Sequence, residues 1–396
     1  MNTVKQIPVS SRYIPQYTRK FFLPIWVLLL LALVALGVFG AYHLATREES
    51  AEIPWGILVP SYVFFALAAT GSTLINSIFT VFNIKQFKPF IKKGVWLSLI
   101  LIIPAVIFIV MDLGRWSHAY NLYFLFNPTS RIGWMGMLYV FYVISILVEL
   151  VVVIKEDQMP KWAVVAVGRV VLIITLGVAT NLGALFGAIN SKPLLFNYFM
   201  PAHFIVSGVL AGAALQIMFF SICSYIKNKR VSEDLKNLFI RGYRPAIFGL
   251  ILGNWLLLII KFVPGILSTP VSPYVQLLIT GPYSLRFWGF EILIGGILPL
   301  ILLLNRKTNE SVKWLFIMSI LVIIGSFFSK YDLLIAAQSI APFTTEVIQY
   351  SPPLIDVLLL VGGISLCLLC CGIGQIWLPL DDEERPKWLI FKFGKR

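Results

Sequence analysis

Stretches of about 20 apolar residues alternate with short polar segments along the whole chain, and this rhythm sets the fold class. A helix rises about 1.5 Å per residue, so a run of that length spans the hydrocarbon core of a bilayer. Such runs fall at 22–43, 57–82, 94–113, 132–154, 162–187, 199–226, 243–264, 284–304, 312–336 and 355–379. The pattern predicts an all-α polytopic membrane protein of about ten transmembrane helices. Its weakest boundaries lie where Pro264, Pro270, Pro273 and Pro282 crowd the connection between the seventh and eighth runs. The first run follows a basic leader at 1–21. It is too long for the apolar part of a signal peptide and lacks a small-residue cleavage site, so it reads as a retained helix. Loops and tails of about 20 residues leave no room for a soluble domain.

Composition agrees with the pattern: 59% of residues are hydrophobic and 13% charged, with a mean hydropathy of +0.87. The net charge of +14 would suit a nucleic-acid binder if the basic residues formed one patch. They do not. Outside the helices they concentrate on one side of the membrane, in the leader, 85–93, 155–161, 227–244, 306–313 and the tail at 380–396. Only Arg47, Arg115, Arg131 and Lys192 fall on the other side. This bias predicts that both termini face the cytoplasm of a cell-membrane protein and that the basic side meets anionic lipid, with no nucleic-acid partner. The four cysteines, Cys223, Cys367, Cys370 and Cys371, all lie in apolar runs. Without an accompanying His or second pair they read as packing residues rather than metal ligands.

One internal repeat is visible. Residues 60–74, from Pro60 through Tyr62 and Gly71 to Leu74, align without a gap on residues 201–215, from Pro201 through His203 and Gly212 to Leu215. Small residues at these positions let transmembrane backbones approach closely. Helices two and six therefore each sit inside a bundle and run in the same direction, and two four-helix bundles follow, at 57–187 (helices two to five) and 199–336 (helices six to nine). The runs at 22–43 and 355–379 flank them.

Ionisable groups inside a membrane are costly and usually functional. On the charge-poor side lie Trp55, Tyr62, Asp112, Arg115, His118, Asn181, His203, Lys261, Glu291, Lys330, Tyr331, Asp332 and Asp356. Only Glu149 and Arg169 lie near the basic side. Arg286, Lys261 and Asp356 read as side chains snorkelling to the interface. Asp112 with Arg115, and His203, read as functional. Rings beside a proton-exchanging carboxylate or imidazole suit a lipid-soluble quinone, which has an apolar body, two carbonyls and two protons per turnover. His43, His118 and His203 offer no paired axial ligands for a haem, and no Cys cluster offers an iron–sulfur site, so electrons must come from a docked partner.

Pro54-Trp55-Gly56 before helix two and Asp112-Leu113-Gly114-Arg115 after helix three resemble the NrfD/PsrC family of polysulfide-reductase membrane subunits. Asn127-Pro128-Thr129-Ser130, Gly187 and Lys192-Pro193 fit as well. The ten-helix length is most similar to the branch with the HybB-type hydrogenase subunit and the alternative complex III subunits. Many relatives have proline after the Asp-Leu-Gly-Arg; here Trp116 stands in that place. The resemblance implies a haem-free subunit binding menaquinone or ubiquinone near the outer face. It implies a ferredoxin-like [4Fe–4S] subunit docked there, linking it to a molybdopterin enzyme or nickel–iron hydrogenase. Tyr62 falls where shorter members carry a quinone-contacting histidine, which passes proton exchange to Asp112 or His203.

The expected quinone site is thus Trp55, Tyr62, Asp112, Arg115 and His203, with Glu149, Arg169, Glu291 and Lys330 as candidates for a transmembrane proton path. A secondary transporter would also explain a parallel repeat and buried charge, but it predicts interrupted helices and polar groups at the midplane. A membrane acyltransferase would need an acid motif beside its histidine.

Overall fold

The structure, a computed structural model, describes residues 27–46, 53–84, 87–113, 120–226, 233–305, 308, 311–340, 346–378 and 380. Among these are nine helices long and apolar enough to cross a membrane, and a shorter apolar helix precedes them. We number them α1 (27–46), α2 (Leu58–Val81), α3 (Lys88–Asp112), α4 (Arg131–Ile154), α5 (Lys161–Gly187), α6 (Met200–Ile226), α7 (Arg244–Leu267), α8 (Ser284–Leu304), α9 (Val312–Ala336) and α10 (Leu354–Trp377). The leader, Arg115, His118 and the tail beyond Leu380 lie outside the described residues.

Local chemistry sets several boundaries. Ser130 caps α4 by accepting a hydrogen bond from Gly133 N at 3.2 Å. Asn127 Oδ1 closes the preceding turn on Thr129 N at 3.0 Å. The proline-rich connection departs from expectation. Pro264 lies inside α7 rather than ending it, and Pro273 opens a separate short helix, Ser272–Ile279. On its other side α7 continues from residues 233–243, partly π-wound, so the seventh span starts about ten residues before the apolar run.

Helix packing closes two rings. In the first, α2 packs on α3, α3 on α4, α4 on α5 and α5 back on α2; in the second, α6, α7, α8 and α9 close likewise. The rings share the contact of α2 with α6, and α2 is buried along its whole apolar window. Outside them α1 packs on α10, and α10 lies along α3.

The α2–α6 contact is backbone on backbone. A Cβ at Gly71 would overlap the carbonyl of Gly208, and one at Gly212 would lie 2.6 Å from the Gly71 carbonyl carbon. One polar network crosses the same seam. Gln216 Nε2 donates to Ser72 O at 3.1 Å, Ser72 Oγ at 2.9 Å and Asn76 Oδ1 at 3.0 Å. Tyr243 OH donates to Gln216 Oε1. With no water available, hydrogen bonds of this kind within the protein help to hold the seam together.

Gly71→Val should therefore prevent closure of the seam and cost about 3 kcal/mol or more. Gly289→Ala, at a glycine with nothing within 4 Å, should be nearly neutral. Monodispersity and thermal midpoint in mild detergent measure both.

Candidate functional site

Four polar groupings lie inside or between the helices. The first joins the ends of α1, α3 and α10 on the charge-poor side. His43 Nδ1 at the end of α1 lies 3.0 Å from Asp356 Oδ1 in the first turn of α10, and both side chains are nearly buried. Tyr350, just before α10, accepts a hydrogen bond from Ile57 N at 2.9 Å. Burial pushes the Tyr350 phenol up, and the neighbouring carboxylates of Asp356 and Asp112 add to this. Gly56 makes the approach possible: a Cβ there would stand 2.7 Å from Tyr350 Oη and 3.5 Å from Asp356 Oδ2. Gln338 braces the same turn, accepting from Trp55 N at 2.9 Å and donating to Trp55 O at 3.3 Å.

The second grouping is in the first ring. Tyr139 OH donates to Tyr62 OH at 2.9 Å. Deeper, Thr73 and Tyr142 hydroxyls meet at 2.9 Å, and Glu149 is 1% exposed with both carboxyl oxygens unpartnered among the described residues. A carboxyl left unpaired at such depth is costly whatever its charge.

The third fills the second ring. His203 on α6, Asn254 and Lys261 on α7, Glu291 on α8 and Lys330 on α9 are all buried. Among the described residues Lys261 Nζ and Lys330 Nζ lack hydrogen-bond partners, and Asn254 stands beside the His203 ring. Lys330 Nζ sits 5.1 Å above the Phe204 ring. The charges of Lys261 and Lys330 act on both Glu291 and His203. Glu291 lies in a π-wound stretch, Phe287–Ile297, and lines a cavity of about 20 Å³ with Ser207, Asn254 and Ser329. That space holds about one water molecule.

The fourth is an ion pair, Arg286 Nε to Asp332 Oδ1 at 3.1 Å, with the guanidinium 4.5 Å from the Tyr283 ring centre and 4.9 Å from that of Tyr331. Tyr283 OH and Ser339 Oγ meet at 2.6 Å beside it.

A cavity of about 440 Å³ lies between α9 and α10 over α2, α3 and α6, and its walls are almost wholly hydrocarbon. Leu360, Ile364, Cys367, Leu368 and Cys371 line it from α10. They follow Asp356 at helical spacing, so one face of α10 carries the carboxylate at its end and the cavity wall below.

The family comparison matches polysulphide reductase, NrfD over residues 45–342. The chain belongs to the NrfD family. It is 26% identical over 376 residues to the Hdr-like menaquinol oxidoreductase integral membrane subunit of Archaeoglobus fulgidus, a match that spans 90% of this sequence and 93% of the relative. It is 23% identical to a selenate reductase subunit of Mesobacillus selenatarsenatis, over 84% and 87% of the two sequences. It is 24% identical to one of the polysulfide reductase polypeptides of Wolinella succinogenes, over 74% and 96%.

Within this NrfD protein the residues expected at one quinone site separate. Asp112 stands with Tyr350 and Asp356, Tyr62 with Tyr139, and His203 with the lysines of the second ring. The Trp55 ring turns edge-on to Phe186 at 5.8 Å, towards α5 and α6. Glu291 and Lys330 come together. Glu149 stands apart in the first ring, and Arg169 is on the exposed surface of α5. The snorkelling expectation fails for Lys261, Asp356 and Arg286. Lys261 and Asp356 are buried and Arg286 is paired, because each projects between helices rather than towards lipid. Sequence reasoning missed His43 and Tyr350; their only signal was an imidazole and a phenol close to helix ends on the charge-poor side.

Removing one member of a buried ion pair leaves the other charge uncompensated. Arg286→Met should cost about 3–5 kcal/mol, and adding Asp332→Leu should restore most of it. Thermal unfolding in detergent of the two single variants and the double variant tests this.

Proposed function

We propose that this protein is the haem-free, quinone-reactive membrane subunit of a respiratory oxidoreductase in the cytoplasmic membrane. Both termini lie in the cytoplasm and the charge-poor end faces outward. An iron–sulfur subunit docks on the outer face and connects it to a catalytic subunit of the molybdopterin or nickel–iron type. The observation that carries this reading is the convergence of Asp112, Tyr350, Asp356 and His43 at one end of the molecule, beside a cavity walled by hydrocarbon. An amphiphile with a polar, proton-exchanging head and an apolar tail suits that arrangement. The oxidoreductase names of its relatives favour it over a transporter, which would collect its polar groups at the midplane.

Oxidation of a quinol releases two electrons and two protons. The electrons leave to the docked partner, and Asp112 receives a hydroxyl proton. The two rings are proposed as the duplicated units of the protein, at 57–187 and 199–336. Glu149 in the first and the His203, Lys261, Glu291 and Lys330 group in the second would carry protons across the membrane.

Purification of the intact complex in mild detergent should recover an iron–sulfur subunit and bound menaquinone or ubiquinone. A pure monomer with neither would overturn the reading. Asp112→Asn should lower quinol-linked electron transfer about 100-fold or more while the complex still assembles. Glu291→Gln should leave electron transfer in detergent nearly intact but abolish acidification coupled to it in sealed vesicles. Unchanged acidification removes Glu291 from the path.

A further inference from the structure

His43 and Asp356 belong to α1 and α10, the two helices outside the rings, and neither has a partner in the rings' own polar clusters. Their geometry is that of an oriented acid–base pair. Asp356 Oδ1 lies 3.0 Å from His43 Nδ1, which places the proton of a neutral imidazole on Nδ1 and leaves a lone pair on Nε2. His43 Nε2 is buried with no hydrogen-bond partner among the described residues. Such an acceptor costs free energy until a donor reaches it, and a hydroxyl is a suitable donor. Two further observations fix the surroundings. Gly56 lets Tyr350 and the second carboxyl oxygen of Asp356 crowd against the turn before α2. The hydrocarbon-walled cavity starts at Leu360, one helical turn below Asp356 on the same face of α10.

We propose that His43 is a catalytic proton acceptor for the quinone head group and that Asp356 is its positioning residue, with the substrate's hydrocarbon tail lying in the cavity between α9 and α10. This rests on the quinone reading above and deepens it by assigning the site to the flanking helices. In quinol oxidation one hydroxyl proton moves to His43 Nε2 as the O–H bond breaks. The two electrons pass to the iron–sulfur partner, and the other hydroxyl proton goes to Asp112. Asp356 keeps Nδ1–H and stabilises the imidazolium, which then releases its proton to water at the outer surface. Quinone reduction runs the same transfers backwards. The described titratable groups around the pair are Asp112 at the end of α3, Tyr350 before α10, and Tyr42 beside His43 on α1.

The test uses the purified complex of full-length subunits with His43→Gln and Asp356→Asn. Glutamine keeps a hydrogen bond to Asp356 but cannot titrate. Both variants should retain bound quinone, measured by extraction. His43→Gln should lower kcat about 100- to 1000-fold for quinol oxidation with little change in KM. Asp356→Asn should lower kcat with His43 still in place, which decides the matter should His43→Gln fail to assemble. A His43→Gln complex with wild-type kcat overturns the proposal, as does an Asp356→Asn complex with unchanged kcat. A wild-type complex without quinone turnover would instead overturn the reading on which it rests.

Discussion

The contact of α2 with α6 is the constraint on which the other placements depend. Two glycine-rich helix faces touch with no side chain between them, so the two rings share a wall rather than a groove. In lipid there is no hydrophobic gain from bringing apolar helices together. Close van der Waals packing and internally satisfied polar groups must hold them. The Gln216 network supplies the second of these at the same seam, where Ser72, Asn76 and Tyr243 meet one amide. Among the described residues, space for a ligand or for water is found inside the rings and between them and the flanking helices. Those are the places where the unpartnered polar groups and the large apolar cavity are found.

The four polar groupings are not equivalent in their energetics. Arg286 and Asp332 neutralise each other, with aromatic rings packed on the guanidinium, which is an adequate structural reason for both. The second-ring cluster sets two lysines and a histidine against one glutamate, around a space for a single water. The one carboxylate can balance only one of the two lysines, so basic groups are in excess there. Tyr62 with Tyr139 is a hydrogen-bonded pair of phenols, whereas His43 with Asp356 joins an imidazole to a carboxylate.

The helices were legible in the sequence because the bilayer leaves the backbone no alternative to internal hydrogen bonding, so apolar length alone marks a span. The seventh helix starts earlier than its apolar run because Lys236 and Arg241 break the run without breaking the helix. Distance along each helix axis was also readable, at about 1.5 Å per residue. Direction around the helix axis was not. Lys261 and Asp356 sit at depths where a side chain can snorkel, yet both point between helices. Arg169, at a depth where burial was expected, points outward.

The repeat drew attention to the two rings and away from the end of the molecule where His43 meets Asp356. Alignment of Tyr62 with His203 draws attention to equivalent places in the two rings, and these prove chemically unlike. One is a tyrosine pair and the other a cation-rich cluster. The His43–Asp356 pair lies outside the repeat and joins residues 313 positions apart, from the first described helix to the last. No local pattern can report such a contact, because it exists only once α1 and α10 pack side by side along α3. The flanking helices are therefore more than padding for the rings. They close the end of the molecule around Asp112, and α10 supplies both the carboxylate that orients His43 and the wall of the cavity beneath it.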